Sequence, residues 1–450
     1  MRNRLFCLFC SVFLLPVAVK ATVVVKGELP ANPHSLITFY RYVDYVSMAP
    51  LEITQVHTDG AGRFQANIPD SAGMLIKLIV ENRSLSFYVL PGGEYAVGEA
   101  HNELGVKDVA GRPINQRIRE MSGEFRDNWF PLFVDTITKE YRKDAPSDTV
   151  FRHWEAIERK YTADSTQPEY ALLRYQAAIC YLSFMHQLPG ADQLMNNFER
   201  IYFNEAPIQE RNPFYTQLLE SYMSYRVVMH PLQRYHASPY NSMDQLIHEV
   251  NYFPGSRLRQ LALVAGLNQE YFSERDVDAR EVVNRRIQTE VLNRVTDPVI
   301  REMLLKVISE NNRARIGNKF PLLSLKNEKN EIVNIADIKS DLILVDFWAT
   351  WCWGCVEGMK SFPDWLRECG DKLTIVTISV DDNLQKMTSF LDRREKLPGV
   401  RSLYNGRTGG YLDKLMIRGY PTYILLNKNR EIIAMPGYTS GVSGLLKAAL

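Results

Sequence analysis

The sequence predicts a multidomain chain with an N-terminal antiparallel β-sandwich-like domain, an α-helical middle domain and a C-terminal α/β domain. Three observations carry this expectation. Short β-rich runs punctuated by Gly, Pro and Asn turns fill residues 22–100. Apolar residues at spacings of three and four fill residues 101–315, and strand-like and helix-like segments alternate over residues 316–450. A chain of 450 residues is too long for one ordinary core, so two or three are expected. Net charge is +1, which gives no electrostatic case for nucleic acid or an anionic membrane as partner.

Residues 1–21 read as a targeting segment. Arg2 and Arg4 make a positive start, residues 5–19 form an apolar run broken by Pro16, and Val19-Lys20-Ala21 offers a cleavage site. Cleavage after Ala21 is expected, giving an exported, periplasmic protein; an uncleaved membrane anchor shares the same features. The run is short for a membrane span. Cys10 follows bulky Phe9 with no small residue beside it, which does not suit a lipoprotein.

Within 22–100, the runs at 23–25, 36–40, 51–57, 75–80 and 85–90 are the expected strands. Turns are marked by Asp59-Gly60-Ala61-Gly62 and Pro91-Gly92-Gly93. In the middle region Phe151, Trp154, Ile157 and Tyr161 form one helical stripe behind Ser147. Val282, Val283, Ile287, Val291, Leu292 and Val295 form another, and Asp297-Pro298 supplies a cap and first-turn proline for the helix after it. The aromatics here, such as Phe214, Tyr215, Tyr222 and Tyr225, are expected to fill helix–helix cores, with a groove for an unfolded polypeptide as the alternative.

In the last region an apolar run from Leu342 to Phe347 leads into Cys352-Trp353-Gly354-Cys355. Two cysteines separated by two residues can close a small disulfide ring. At the junction of a buried strand and a helix N-terminus, unpaired backbone N–H groups stabilise a thiolate, the attacking species in disulfide exchange. Cys352 is therefore the candidate nucleophile and Cys355 the resolving thiol of a redox-active disulfide. A half zinc site or an inert disulfide would also use such a pair. Zinc needs two further ligands, and none of the eight histidines is paired with this loop in sequence. No metal or cofactor is expected. Asp346 lies inside the apolar strand, where burial raises a carboxyl pKa; a solvent-facing strand end is the alternative. Helix is expected over 384–394, strands over 374–380, 423–427 and 431–434, and a closing helix from Val442. Cys180 and Cys369 are expected to be buried fillers.

Four separated motifs occur in order: Gly317 with Phe320-Pro321; Val345-Asp346-Phe347-Trp348-Ala349-Thr350-Trp351-Cys352; Thr377-Ile378-Ser379-Val380-Asp381; and Gly419-Tyr420-Pro421-Thr422. On these, residues 316–450 resemble a thioredoxin-like domain of the TlpA/ResA type, the exported thiol–disulfide oxidoreductases of bacteria. Residues 22–100 resemble the β domain that precedes such domains in many exported Bacteroidetes proteins. The resemblance implies that Asp346 lies beneath the disulfide and helps deprotonate Cys355. It also implies that Pro421 is cis and sets Tyr420 beside the disulfide, with an ordinary trans turn as the alternative. Trp351, Trp353, Tyr420 and Pro421 would then meet the client. The implied partners are client protein thiols and disulfides and a membrane electron donor.

The chain departs from that pattern in three places. Gly354 stands where many members carry proline, which is expected to make the disulfide easier to reduce. Bulky Trp353 separates the cysteines. Gly358 occupies the position of the glutamate found three residues after the second cysteine in ResA-type proteins, and adjacent Glu357 would point elsewhere. A reductase or isomerase is expected over an oxidase. The alternative is a binding or assembly protein whose redox domain is regulatory. A peroxidase of the same fold ranks third, because its Thr-x-x-Cys site is not seen.

Overall fold

The computed structural model describes residues 22–69, 73–81, 83–100, 103–133, 147–166, 169–185, 191–229, 242–273, 277–311, 316–406, 412, 415, 417, 419–436 and 439–449. The expected targeting segment, residues 1–21, lies outside the described residues.

Eight strands come first: β1 (Thr22–Glu28), β2 (Leu36–Tyr42), β3 (Pro50–His57), β4 (Arg63–Pro69), β5 (Met74–Val80), β6 (Arg83–Val89), β7 (Glu94–Ala100) and β8 (Glu103–Ala110). They form two four-stranded sheets, ordered β4-β1-β7-β8 and β3-β2-β5-β6. The wholly antiparallel expectation is corrected by one pair: β1 and β7 run parallel, Val24 opposite Glu94 and Gly27 opposite Val97. A hairpin can join only antiparallel neighbours, whereas β7 reaches β1 after the chain has passed through the other sheet. Sequence reading also missed β4, β7 and β8. In β4 the inward Phe64, Ala66 and Ile68 alternate strictly with polar residues, so no apolar run announces the strand.

β8 carries strand past residue 100 into the stretch expected to be helical. Its Asp108 carboxylate caps the first helix, α1 (Ile114–Phe133), accepting from Asn115 N at 3.3 Å and Gln116 N at 2.8 Å. The Asn115 amide in turn pairs with the Tyr88 backbone of β6, 2.8 Å in each direction. The helices α2 (Ser147–Tyr161), α3 (Tyr170–Met185), α4 (Ala191–Glu199), α5 (Pro213–Ser224), α6 (Ser242–Glu249), α7 (Ser256–Ser273), α8 (Val277–Arg286) and α9 (Pro298–Asn311) follow. Trp154, Ile157 and Tyr161 are buried as expected, in one apolar core that also takes in the two sheets. Of the second stripe Val283, Ile287, Val291 and Val295 are buried, but Val282 is exposed, because a neighbour in sequence points about 100° away around a helix. Asp297 caps α9, accepting from Val299 N at 3.0 Å and Ile300 N at 3.1 Å.

The last unit is a seven-stranded sheet of order β10-β9-β13-β12-β11-β14-β15. Its strands are β9 (Ser324–Asn327), β10 (Ile332–Asn334), β11 (Leu342–Trp348), β12 (Leu373–Ser379), β13 (Val400–Tyr404), β14 (Thr422–Asn427) and β15 (Ile432–Ala434). All seven residues of β11 are buried, so it shows an apolar run interrupted by Asp346 rather than alternation. It pairs parallel with β12 and antiparallel with β14. The helices are α10 (Trp353–Gly358), α11 (Phe362–Cys369), α12 (Leu384–Leu391) and α13 (Thr439–Ala449). α12 stops at Leu391, three residues before the expected end, and its core is separate from that of the first 311 residues.

Candidate active site

β11 delivers the chain from the middle of the sheet to a loop, Ala349 to Trp351, and then to α10, whose N-cap is Cys352. The Cys352 backbone is extended (φ −87°, ψ 96°), and its sulfur accepts from Cys355 N at 3.2 Å. The helix thus turns the Cys355 N–H, which it shares with the Cys352 carbonyl at 3.1 Å, toward sulfur, which favours charge there. Cys352 and Cys355 form a disulfide with Sγ–Sγ 2.10 Å. Cys352 is 8% exposed and Cys355 is fully buried, so an incoming sulfur can reach only the first.

Asp346 is fully buried, and neither carboxylate oxygen has a hydrogen-bond partner. Burial alone pushes its carboxyl up to about 8. The solvent-facing alternative for this residue therefore fails. In register it lies between Thr377 of β12 and Tyr423 of β14. The peptide bond between Tyr420 and Pro421 is cis. A Cβ on Gly354 would stand 3.8 Å from Pro421 Cδ, so the proline ring borders the start of α10. Trp351 and Tyr420 meet edge to face with ring centres 5.9 Å apart. Trp351 is 53% exposed and Trp353 78% exposed, which leaves two indoles in solvent beside a sulfur that is nearly covered. All seven residues singled out from sequence thus belong to this strand end, helix start and facing loop.

Gly358 has a physical reason. A Cβ there would stand 2.4 Å from the Tyr423 hydroxyl and 3.0 Å from Thr439 Oγ1. Those two hydroxyls, 3.3 Å apart, fill the volume a longer side chain would need.

Sequence reading singled out no role for Asp381, just beyond β12. It is fully buried and accepts from Thr350 N at 3.1 and 3.2 Å, Thr350 Oγ1 at 2.7 Å and Ser379 Oγ at 2.8 Å. Asn405 N and Gly406 N donate to the Ser379 carbonyl at 2.9 and 3.3 Å, and Val380 N donates to the Trp348 carbonyl at 2.8 Å. The usable signal was an acid directly after an apolar strand.

Cys180 and Cys369 are free thiols; Cys180 is half-buried rather than buried, and burial pushes its thiol up to about 11. Among the described residues no group of three His, Cys, Asp or Glu side chains gathers as metal ligands. A cavity of about 760 Å³ lies against Met359, Phe362, Thr377 and Ser402, with neither disulfide cysteine in its wall. No described helix is long and apolar enough to cross a membrane.

Residues 316–437 match the family model described as the AhpC/TSA family. The thioredoxin-like protein YneN of Bacillus subtilis is 27% identical over 119 residues, 26% of this chain and 68% of the relative. The thiol-disulfide oxidoreductase ResA of Oceanobacillus iheyensis is 28% identical over 128 residues, 27% of this chain and 65% of the relative. The chain thus spans about two thirds of the length of these relatives. A solved structure of a thiol-disulfide oxidoreductase from Bacteroides fragilis is 23% identical, covering 30% of this chain and 100% of that one, with a TM-score of 0.27.

Proposed function

We propose that this chain, whose residues 316–437 form a thioredoxin-like thiol–disulfide oxidoreductase of the AhpC/TSA family, is an exported enzyme of TlpA/ResA type. It exchanges disulfides with client proteins as a reductase or isomerase, and a membrane electron donor returns it to the dithiol. The expected division into leader, β-sandwich-like, helical and redox portions is part of the same reading. What carries it is a helix-capping cysteine disulfide-bonded to a buried one, in the same core as a buried, unpartnered carboxyl.

In the reductive direction the Cys352 thiolate attacks a client disulfide. The client S–S bond breaks, a Cys352–client disulfide forms, and one client thiolate leaves and takes a proton. Cys355 then gives its proton to Asp346 and attacks the Cys352 sulfur. The internal disulfide closes and the second client thiolate is released, so two electrons have passed from the dithiol to the client. With the carboxyl pushed up to about 8, it is the ionised fraction of Asp346, which grows as pH rises toward 8, that takes up this proton and later releases it. Trp351, Trp353 and Tyr420 offer apolar faces to the client, and the Tyr420 backbone offers hydrogen bonds to an extended strand.

The test is the equilibrium of the full exported chain with glutathione buffers, read as the Cys352–Cys355 couple, with Cys352→Ala as control. A potential near that of thioredoxin, about −270 mV, supports the reductase; one near about −120 mV reverses the direction. No reversible two-electron couple would favour the binding or assembly protein instead. Cys355→Ala is expected to trap a mixed disulfide on Cys352. Trp353→Ala is expected to raise KM for a protein client several-fold while leaving the potential unchanged, because it alters contact area and not the sulfurs.

A further inference from the structure

We infer that Asp381 is a positioning residue that sets the redox poise of the pair: its carboxylate clamps the loop carrying Cys352, and its charge opposes the Cys352 thiolate. The inference rests on the exchange role proposed for Cys352 and Cys355.

The clamp is complete. Both carboxylate oxygens are occupied, by one backbone N–H and two hydroxyls, and no cation shares the site among those contacts. A carboxylate is an acceptor only, and one N–H and two hydroxyls converge on this one. The donor Thr350 is two residues before Cys352, and the cysteine's own N–H bonds to the Ala349 carbonyl at 3.0 Å. The loop is therefore pinned on both sides of Trp351. Two residues of chain span about 7 Å at most, which keeps the carboxylate within about 10 Å of the Cys352 backbone. Asp381 is fully buried and Cys352 nearly so, and salt screens such a pair less than it screens surface charges.

The sign follows. The N-terminus of α10 stabilises a thiolate on Cys352, and the buried negative charge on Asp381 destabilises it. A destabilised thiolate weakens the reduced form and makes the couple more reducing, the reverse of the strong oxidants, whose reduced form is stabilised. Among the described residues, the titratable groups on the neighbouring elements include Asp346 of β11, Tyr420 before β14, Tyr423 of β14, Glu357 of α10, which is paired with Lys360, and Asp382 beside Asp381, which is paired with Lys386 of α12. In both pairs the lysine is held by a carboxylate other than Asp381.

The experiment uses the full exported chain, reduced, with Cys352 alkylation followed against pH by peptide mass spectrometry and the glutathione equilibrium measured alongside. Asp381→Asn keeps the shape and removes the charge. It is expected to raise the thiolate fraction of Cys352 below its pKa several-fold and to move the equilibrium about tenfold toward a more oxidising couple. Thr350→Ala keeps the charge and loses one donor; it is expected to slow client reduction while leaving the alkylation profile in place. If Asp381→Asn folds and moves neither quantity, or if Thr350→Ala moves both equally, the inference is overturned. Should Asp381→Asn not fold, the parent decides: a Cys352 pKa near or above the ordinary value of about 8.5 supports the inference, and one well below it overturns it. Absence of any reversible couple in the parent would instead remove the exchange reading itself.

Discussion

Asp346 keeps its proton to about pH 8, whereas in the unfolded chain the same carboxyl titrates near 3.9. Between those values the folded protein binds a proton that the unfolded chain has released. The sign is therefore fixed: stability from this group is complete below about pH 4 and is lost as pH rises toward 8. Asp346→Asn, which carries no charge to bury, is expected to be more stable than the parent at pH 8, by an amount of the order of a few kcal/mol, and equal to it near pH 4. Denaturant unfolding of the oxidised protein at both pH values checks this; a parent whose stability does not decline over the window would contradict it. If Asp346 is the proton acceptor proposed above for Cys355, the same variant is expected to slow resolution of the mixed disulfide.

α10 is packed tightly against β14 at Gly358. Adding one methyl there forces a collision with the Tyr423 hydroxyl, the end of a rigid ring that also packs edge to face on Trp365 at 6.2 Å. Gly358→Ala is expected to cost about 1–3 kcal/mol by overpacking. Tyr423→Phe, by removing the oxygen, should recover a large part of that cost. A double-mutant cycle in denaturant measures the coupling, and additive effects would show that the two residues do not share the volume. The helix meets its strand through this contact, which sequence spacing cannot reveal: the partners are 65 positions apart (423 − 358).

Two separate apolar cores divide the chain, one joining both N-terminal sheets to the middle helices and the other inside residues 320–446. Each should unfold as its own cooperative unit. Calorimetry of the full chain is expected to resolve at least two transitions. At pH 8, Asp346→Asn should move only the one belonging to the redox portion. A single transition displaced as a whole would mean that the cores are coupled. The β and helical portions act together in this scheme, because Asp108 and Asn115 tie α1 to β8 and β6 by hydrogen bonds between side chain and backbone.

Patterns local in the chain were legible before any fold. The run of Leu342 to Phe347, the cysteine spacing, the Asp297-Pro298 helix start and the turn at Asp59-Gly60-Ala61-Gly62 each declare themselves within a few residues. Gly62 takes φ +79° with its N–H on the Asp59 carbonyl at 2.9 Å, a local requirement that a local signal meets. What stayed hidden depends on partners distant in sequence. The parallel pairing of β1 with β7 follows from a path through the other sheet. Gly358 reads as a missing glutamate until Tyr423 is seen above it, and Asp381 reads as a strand-end acid until Thr350 closes on it. Short-range propensity and periodicity act through neighbours along the chain, so sequence reports them. Volume, buried charge and hydrogen-bond closure act through space, and only the folded chain brings those groups within reach.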